Sequence, residues 1–251
     1  MRNIKIDIEY DGTHFEGWQI QKPKSRTVQG EIEKALARIC KKKNRVIGSG
    51  RTDSGVHALG QVAHAKIPSR LSDPEILRAL NANLPDDISI LNVQTVPDSF
   101  HAQFSVKRKT YRYTILNRTS PPAMGRHFCL HLPQGLNVTA MRREAKYLVG
   151  RKDFRSFMAA DRAKRHLDPG RSTVRRIYNL TLKKTGDTLT ITIEADGFLY
   201  KMVRNVVGTL IQVGQEKHPK GFVKALLKKK NRVSAGKTAA ACGLCLVKVV
   251  Y

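Results

Sequence analysis

The sequence predicts an α/β (α+β) protein made of two successive β-α-β-β-α-β units, ferredoxin-like in plan, with largely antiparallel sheets and helices packed on one face. Three observations carry that reading. Short stretches alternate apolar and polar residues, longer stretches place apolar residues at helical spacing, and one order of elements runs twice along the 251 residues. The first half is assigned to residues 1–105 and the second to residues 106–251.

In the first half, IKIDIEY (4–10) alternates and predicts a strand. TVQGEIEKALARICKK (27–42) follows with Val28, Ile32, Leu36 and Ile39 on one helical face and Thr27 as its N-cap. NRVIGSG (44–50) and GQVAHAKI (60–67) read as two short strands. Ser72-Asp73-Pro74-Glu75 is a capping box with proline in the first turn, Ile76, Leu77 and Leu80 form an apolar face, and Pro85 ends the helix. ISILNVQTV (88–96) is the last strand of this half.

The second half repeats the order. KTYRYTIL (109–116) is a strand and VTAMRREAKYLVG (138–150) a helix. TVRRIYNLTLKK (173–184) and TLTITIEAD (188–196) are strands joined at Thr185-Gly186-Asp187, and FLYKMVRNVVGTLIQVG (198–214) is a long apolar helix. GFVKALLKKK (221–230) adds a helix before the closing strand within ACGLCLVKVVY (241–251). The segment AADRAKRHLDPGRS (159–172) reads as a basic loop, of a make-up that closes over ligands or stays disordered.

Composition narrows the partner. Lys and Arg total 46 against 20 Asp and Glu, a net charge of +26, which points to a polyanion and first to nucleic acid. Solubility alone needs a smaller imbalance, although a run such as Lys228-Lys229-Lys230 is by itself the ordinary end of a solvated helix. No segment approaches the roughly 20 apolar residues that span a bilayer. MRNIKIDIEYDG lacks the apolar core and cleavage site of a signal peptide. Cys40, Cys129, Cys242 and Cys245 form neither a compact disulfide framework nor zinc-type pairs, so they read as small buried thiols of a reducing cytoplasm.

The stretch GSGRTDSGVHALG (48–60) stands apart, with Asp53 the single carboxylate among four glycines. Gly48, Gly50 and Gly55 allow positive φ, so a turn there can present Arg51 and Asp53 together. Either an Asx-turn or a functional carboxylate satisfies that spacing. Phosphate-loop patterns fail, because Asp53 and Asn231 occupy positions that would need glycine. His57 and His64 lack a clustered third ligand, which argues against a metal. A lone acid that works in a cleft needs a cation beside it. Lys201 and Arg204, read one turn apart on the apolar helix, are candidates, with snorkelling at the sheet edge as the alternative. Tyr111 and Tyr113 share a strand face, as core packing or as a platform on which a base stacks.

Seven ordered motifs then come together: EYDGTHFEGWQIQ (9–21), GRTDSGVHALGQVAH (50–64), NANLPDDI (81–88), FHAQFSVKRKTYRY (100–113), DFRSF (153–157), TVRRIY (173–178) and GFLYKMVRNVVGTL (197–210). With them the chain closely resembles the bacterial tRNA pseudouridine synthase A family over nearly its whole length. The resemblance implies a pseudouridine synthase fold and an isomerase that converts uridine to pseudouridine at positions 38, 39 and 40 of the tRNA anticodon stem-loop. It implies Asp53 as the catalytic aspartate and Arg204 as the cation that keeps it ionised. Tyr111 would stack on the target base, Arg51 would hold the nucleotide out of its helix, and His57 is counted with the substrate-binding side chains. It further implies no cofactor or metal, a cytoplasmic homodimer, tRNA as partner and no membrane.

Two rivals remain, a non-catalytic RNA-binding protein of the same fold and a synthase acting on another RNA. Three departures from the family pattern stand out. Ser54 takes the place of a common alanine, Gln103 that of an arginine, and the lysine content is high enough to imply salt-sensitive RNA binding.

Overall fold

The computed structural model describes residues 1–21, 25–159 and 172–251, so most of the basic loop at 159–172 lies outside the described residues. The chain divides into two compact units, residues 1–107 with 245–251, and residues 108–244. The last seven residues, read in the sequence with the second half, therefore cluster with the first.

In the first unit β1 (Arg2–Tyr10), α1 (Val28–Cys40), β2 (Val46–Gly48), β3 (His57–Ile67), α2 (Asp73–Asn81) and β4 (Ile88–Val96) follow the expected order. β1 lies between β4 and β3 and is antiparallel to both, in a register that sets Ile4 opposite Ala65 and Ile6 opposite Ala63. The outer edge of β3 serves two partners. β2 pairs antiparallel with Ala63–Ala65, while β10 (Leu244–Val250) pairs parallel through Cys245↔His57 and Leu246↔Ala58. The sheet order β4-β1-β3-β2 is the ferredoxin-like one. Alternation puts Ile4, Ile6 and Ile8 into the core with Val28, Ile32 and Leu36 of α1 and Ile76 and Leu80 of α2. Both helix starts follow their sequence signals. The Thr27 hydroxyl accepts from the Gly30 N–H at 3.2 Å, and the Glu75 carboxylate accepts from the Ser72 N–H at 2.7 Å.

In the second unit the order is β5 (Arg108–Leu116), β6 (Leu130–His131), α3 (Val138–Ala145), β7 (Gly150–Asp153), β8 (Val174–Thr185), β9 (Thr188–Ala195), α4 (Met202–Gly214) and α5 (Phe222–Lys229). β9 is antiparallel to β5 and to β8, β7 is antiparallel to β8 at the edge, and β6 runs parallel to β5. Gly186, at φ 54°, turns the β8–β9 hairpin at the expected place. Tyr113, Ile115, Leu189, Ile191 and Ile193 face the core, together with Val206, Val207 and Leu210 of α4.

Four expectations need correction. The long apolar helix starts at Met202 rather than at Phe198. Lys201 precedes it in the left-handed conformation at φ 54°, so Lys201 and Arg204 do not share the helix. Gly48 and Gly50 do not take positive φ, and Gly55 does. The four cysteines are half-buried rather than buried, and no disulfide joins them. Among the described residues no helix is long and apolar enough to cross a membrane.

Candidate active site

Asp53 sits on the connection between β2 and β3, on a turn closed by the Val56 N–H donating to the Asp53 carbonyl at 3.2 Å. Gly55, third in that turn, has φ 75°, the conformation a type II turn requires and a side chain resists. The segment 11–18 braces it. The Trp18 N–H donates to the Thr52 carbonyl at 3.1 Å, the Gly55 N–H reaches the Phe15 carbonyl at 3.4 Å, and the Ser54 hydroxyl donates to the same oxygen at 3.1 Å. Ser54, the departure from the usual alanine, thus adds a bond to the turn. The approach is too close for side chains, since a Cβ on Gly12 would lie 2.1 Å from the Val56 carbonyl oxygen and one on Gly17 2.7 Å from that of Thr52. Gly48 is required for another reason, because a Cβ there would lie 2.5 Å from the Trp18 indole. Behind the turn, the Thr52 hydroxyl meets the buried Tyr10 hydroxyl at 2.7 Å. Burial pushes the Tyr10 phenol well above its ordinary pKa, so it stays protonated.

The turn leaves Asp53 half-buried and Arg51 exposed. His57, at the start of β3, is only 4% exposed, and its Nδ1 lies 3.0 Å from both the Gly12 N–H and the Asp11 carboxylate. One nitrogen cannot accept from the first and donate to the second. Nδ1 therefore either accepts from Gly12 or donates to Asp11, according to which ring nitrogen carries the proton. Burial acts to raise the Asp11 pKa. Hydrogen bonds from the Thr13 hydroxyl and N–H, with the His57 ring, outweigh it and hold the carboxyl below its ordinary value.

In the second unit, Tyr111 and Tyr113 share a face of β5 but differ in role. Tyr113 is fully buried and its hydroxyl donates to the Ala240 carbonyl at 2.9 Å, which makes it a core residue. Tyr111, 8% exposed, meets Phe198 edge-on with ring centroids 5.1 Å apart. Arg204 lies in the first turn of α4, half-buried, and its Nε donates to the Ala239 carbonyl at 2.8 Å while the Ala239 N–H returns a bond to the Arg204 carbonyl at 3.1 Å.

A buried polar network fixes that 236–239 segment. The Asn205 side chain donates to the Phe157 carbonyl at 2.7 Å and accepts from Arg232 at 2.9 Å and from the Thr238 hydroxyl at 2.7 Å. Gly208 lets the segment cross the helix, for a Cβ there would lie 1.8 Å from the Lys237 carbonyl oxygen. Asn205, Arg232 and Thr238 were not singled out in the sequence. Asn205 inside an apolar helix was the one available signal, as a buried amide demands partners. Among the described residues no group of three or more His, Cys, Asp or Glu is placed to hold a metal ion.

An exposed arginine and a half-buried acid on one glycine-braced turn, in a chain of net charge +26, suit chemistry performed on a polyanion. Comparison with known proteins makes the class specific. The family model described as tRNA pseudouridine synthase matches residues 7–105 and 145–251. Curated proteins named tRNA pseudouridine synthase A are similar from end to end. The one from Thermoanaerobacter sp. (strain X514) is 45% identical over 251 residues, covering 100% of both chains. That from Bacillus subtilis (strain 168) is 45% identical over 250 residues, covering 99% of this chain and 98% of its own. The Clostridium perfringens protein named tRNA pseudouridine synthase A 2 is 41% identical over 254 residues, covering 100% of both chains. The chain belongs to the tRNA pseudouridine synthase family.

Proposed function

We propose that this protein isomerises uridine to pseudouridine at positions 38, 39 and 40 of the tRNA anticodon stem-loop, with Asp53 as its catalytic aspartate. The observation that carries the reading is the Asp53 turn, whose brace of backbone hydrogen bonds and close-contact glycines presents one carboxylate beside the exposed Arg51. The chemistry needs no more acids. The bond from ribose C1′ to uracil N1 breaks, the base turns while it is held, and a bond forms from C1′ to C5. The C5 proton then leaves and N1 gains one, so the product is an isomer and nothing is consumed.

Asp53 acts on the nucleotide as nucleophile or as base, either of which requires the ionised form, and Arg204 is assigned to keep it so. Arg51 holds the target nucleotide out of its helix, where unstacking costs a few kcal/mol that contacts to phosphates offset. Tyr111 supplies the ring against which the base lies. His57, expected among the substrate-binding side chains, is only 4% exposed behind the turn, so the role assigned to it is instead to position the turn through Gly12 and Asp11. The protein works on tRNA in the cytoplasm, as a homodimer and without a cofactor.

The test is position-resolved conversion in an unmodified tRNA transcript. Pseudouridine confined to positions 38 to 40 supports the reading, conversion elsewhere transfers the activity to another site, and binding without conversion contradicts it.

A further inference from the structure

The motif TVRRIY, at the start of β8, takes no part in the chemistry above, yet it builds an arrangement that a sheet has no structural reason to keep. In the β7–β8 ladder, Arg151 stands directly opposite Arg176 and Lys152 directly opposite Arg175. Two successive cross-strand pairs are therefore cation against cation, and directly opposed like charges weaken a ladder. Arg151 and Arg176 are exposed on the same face of the β7–β8 pair, while Ile177 turns into the core.

The acids nearby are committed elsewhere. Asp153 accepts from the Thr173 hydroxyl at 2.6 Å and pairs with Lys230 at 3.4 Å, Glu194 pairs with Arg108 at 3.1 Å, and Asp196 takes the Arg176 backbone N–H at 2.9 Å. Among the described residues no carboxylate makes an ion pair with the Arg151 or Arg176 guanidinium.

Tyr178, beside an irregularity in the β8–β9 register between Ile177 and Asn179, is 36% exposed at the same surface. Two guanidiniums approach its ring, Arg108 at 4.5 Å and Arg176 at 5.4 Å from the centroid. Cation–π contact of that kind holds flexible arginines in a fixed fork. A fixed guanidinium fork matches the oxygens of a phosphodiester. Arg151 and Arg176, set against each other and without an ion pair to a carboxylate among the described residues, gain most from an added polyanion.

We propose that Arg151 and Arg176, the first set opposite the second and the second held with Arg108 against Tyr178, form a contact for the phosphate backbone of the tRNA, additional to the residues assigned to the reaction. This rests on the reading of tRNA as substrate, and it gives part of the high net charge a place and a purpose. The contact positions the RNA and carries no base specificity.

The experiment measures binding of an unmodified tRNA transcript to wild type and to the Arg151→Ala/Arg176→Ala double variant over a salt series, with single-turnover conversion at saturating tRNA alongside. Each phosphate contact contributes about 0.9 to the slope of log K against log salt on a duplex. The double variant is expected to lose a little under about two in slope and to bind roughly ten-fold more weakly at moderate salt, with its saturated conversion rate kept. Its thermal midpoint should hold or rise, because the opposed charges are relieved, whereas a structural role would lower it. Arg176→Lys keeps the charge and should keep the slope. Unchanged affinity and slope in the double variant, with wild-type conversion intact, overturn the proposal. Failure of wild type to convert any uridine overturns the functional reading instead.

Discussion

The turn that carries Asp53 and the helix that carries Arg204 are held in place by opposite means. Around Asp53 the brace is short-range backbone stitching between residues 11–18 and 52–56, made possible by Gly12, Gly17 and Gly55. Around Arg204 it is a buried side-chain network that reaches from Asn205 to Phe157, Arg232 and Thr238. The first depends on the absence of side chains and the second on their complete pairing. Damage should therefore show differently, as a misplaced carboxylate in one region and as lost stability in the other.

Substitutions sharpen that contrast, from the largest effect on stability to the smallest. Gly208→Ala forces a methyl group to within 1.8 Å of the Lys237 carbonyl oxygen, a backbone atom that cannot step aside. It should cost about 3 kcal/mol or more, read from denaturant unfolding. Asn205→Ala leaves the Phe157 carbonyl, Arg232 and the Thr238 hydroxyl without their shared partner and should cost about 2–3 kcal/mol. A loss below about 0.5 kcal/mol would show that the network adds nothing.

Gly17→Ala meets both a φ of 107° and a contact of 2.7 Å with the Thr52 carbonyl oxygen. About 1–2 kcal/mol of stability should go, with a larger proportional fall in kcat than either second-unit variant shows per kcal/mol lost. The reverse pattern would erase the contrast.

Asp11→Asn should act most weakly, with a cost present near neutral pH that fades in acid. The folded-state carboxyl of Asp11 lies below its ordinary pKa, so its contribution is present above the unfolded-state value and disappears as pH falls through the lowered one. Wild type should therefore lose more stability than Asp11→Asn as pH drops below about 5. Parallel curves would separate Asp11 from the brace.

The same contrast governs how much was legible in the sequence. Thr27, the Ser72–Glu75 capping box, the hairpin at Gly186 and the placement of Asp53 between two strands are local signals, and the structure contains each of them. β6 and β7, of two and four residues, exist through what they pair with, and no local pattern announces them. Gly48 looked like a flexible turn residue and is instead the floor under Trp18, which only the folded chain reveals. Arg204 was readable as a charge in an apolar stretch. Its partner Ala239, and the Arg232 and Thr238 that bond the neighbouring Asn205, are distant in sequence and recognisable only once α4 is seen beneath them. Lys201 matched the helical period but precedes α4 in a left-handed conformation, a backbone state that side-chain periodicity does not encode.

The central claim is that one carboxylate on a glycine-braced turn performs the isomerisation. Asp53→Asn keeps the shape of that side chain and removes its charge, so single-turnover conversion of a tRNA transcript by the variant tests the claim directly. The account predicts no detectable pseudouridine, with tRNA affinity within a few-fold of wild type and an unchanged unfolding midpoint, since one charge among many contributes little to binding. Conversion at a rate near that of wild type would remove Asp53 from the mechanism.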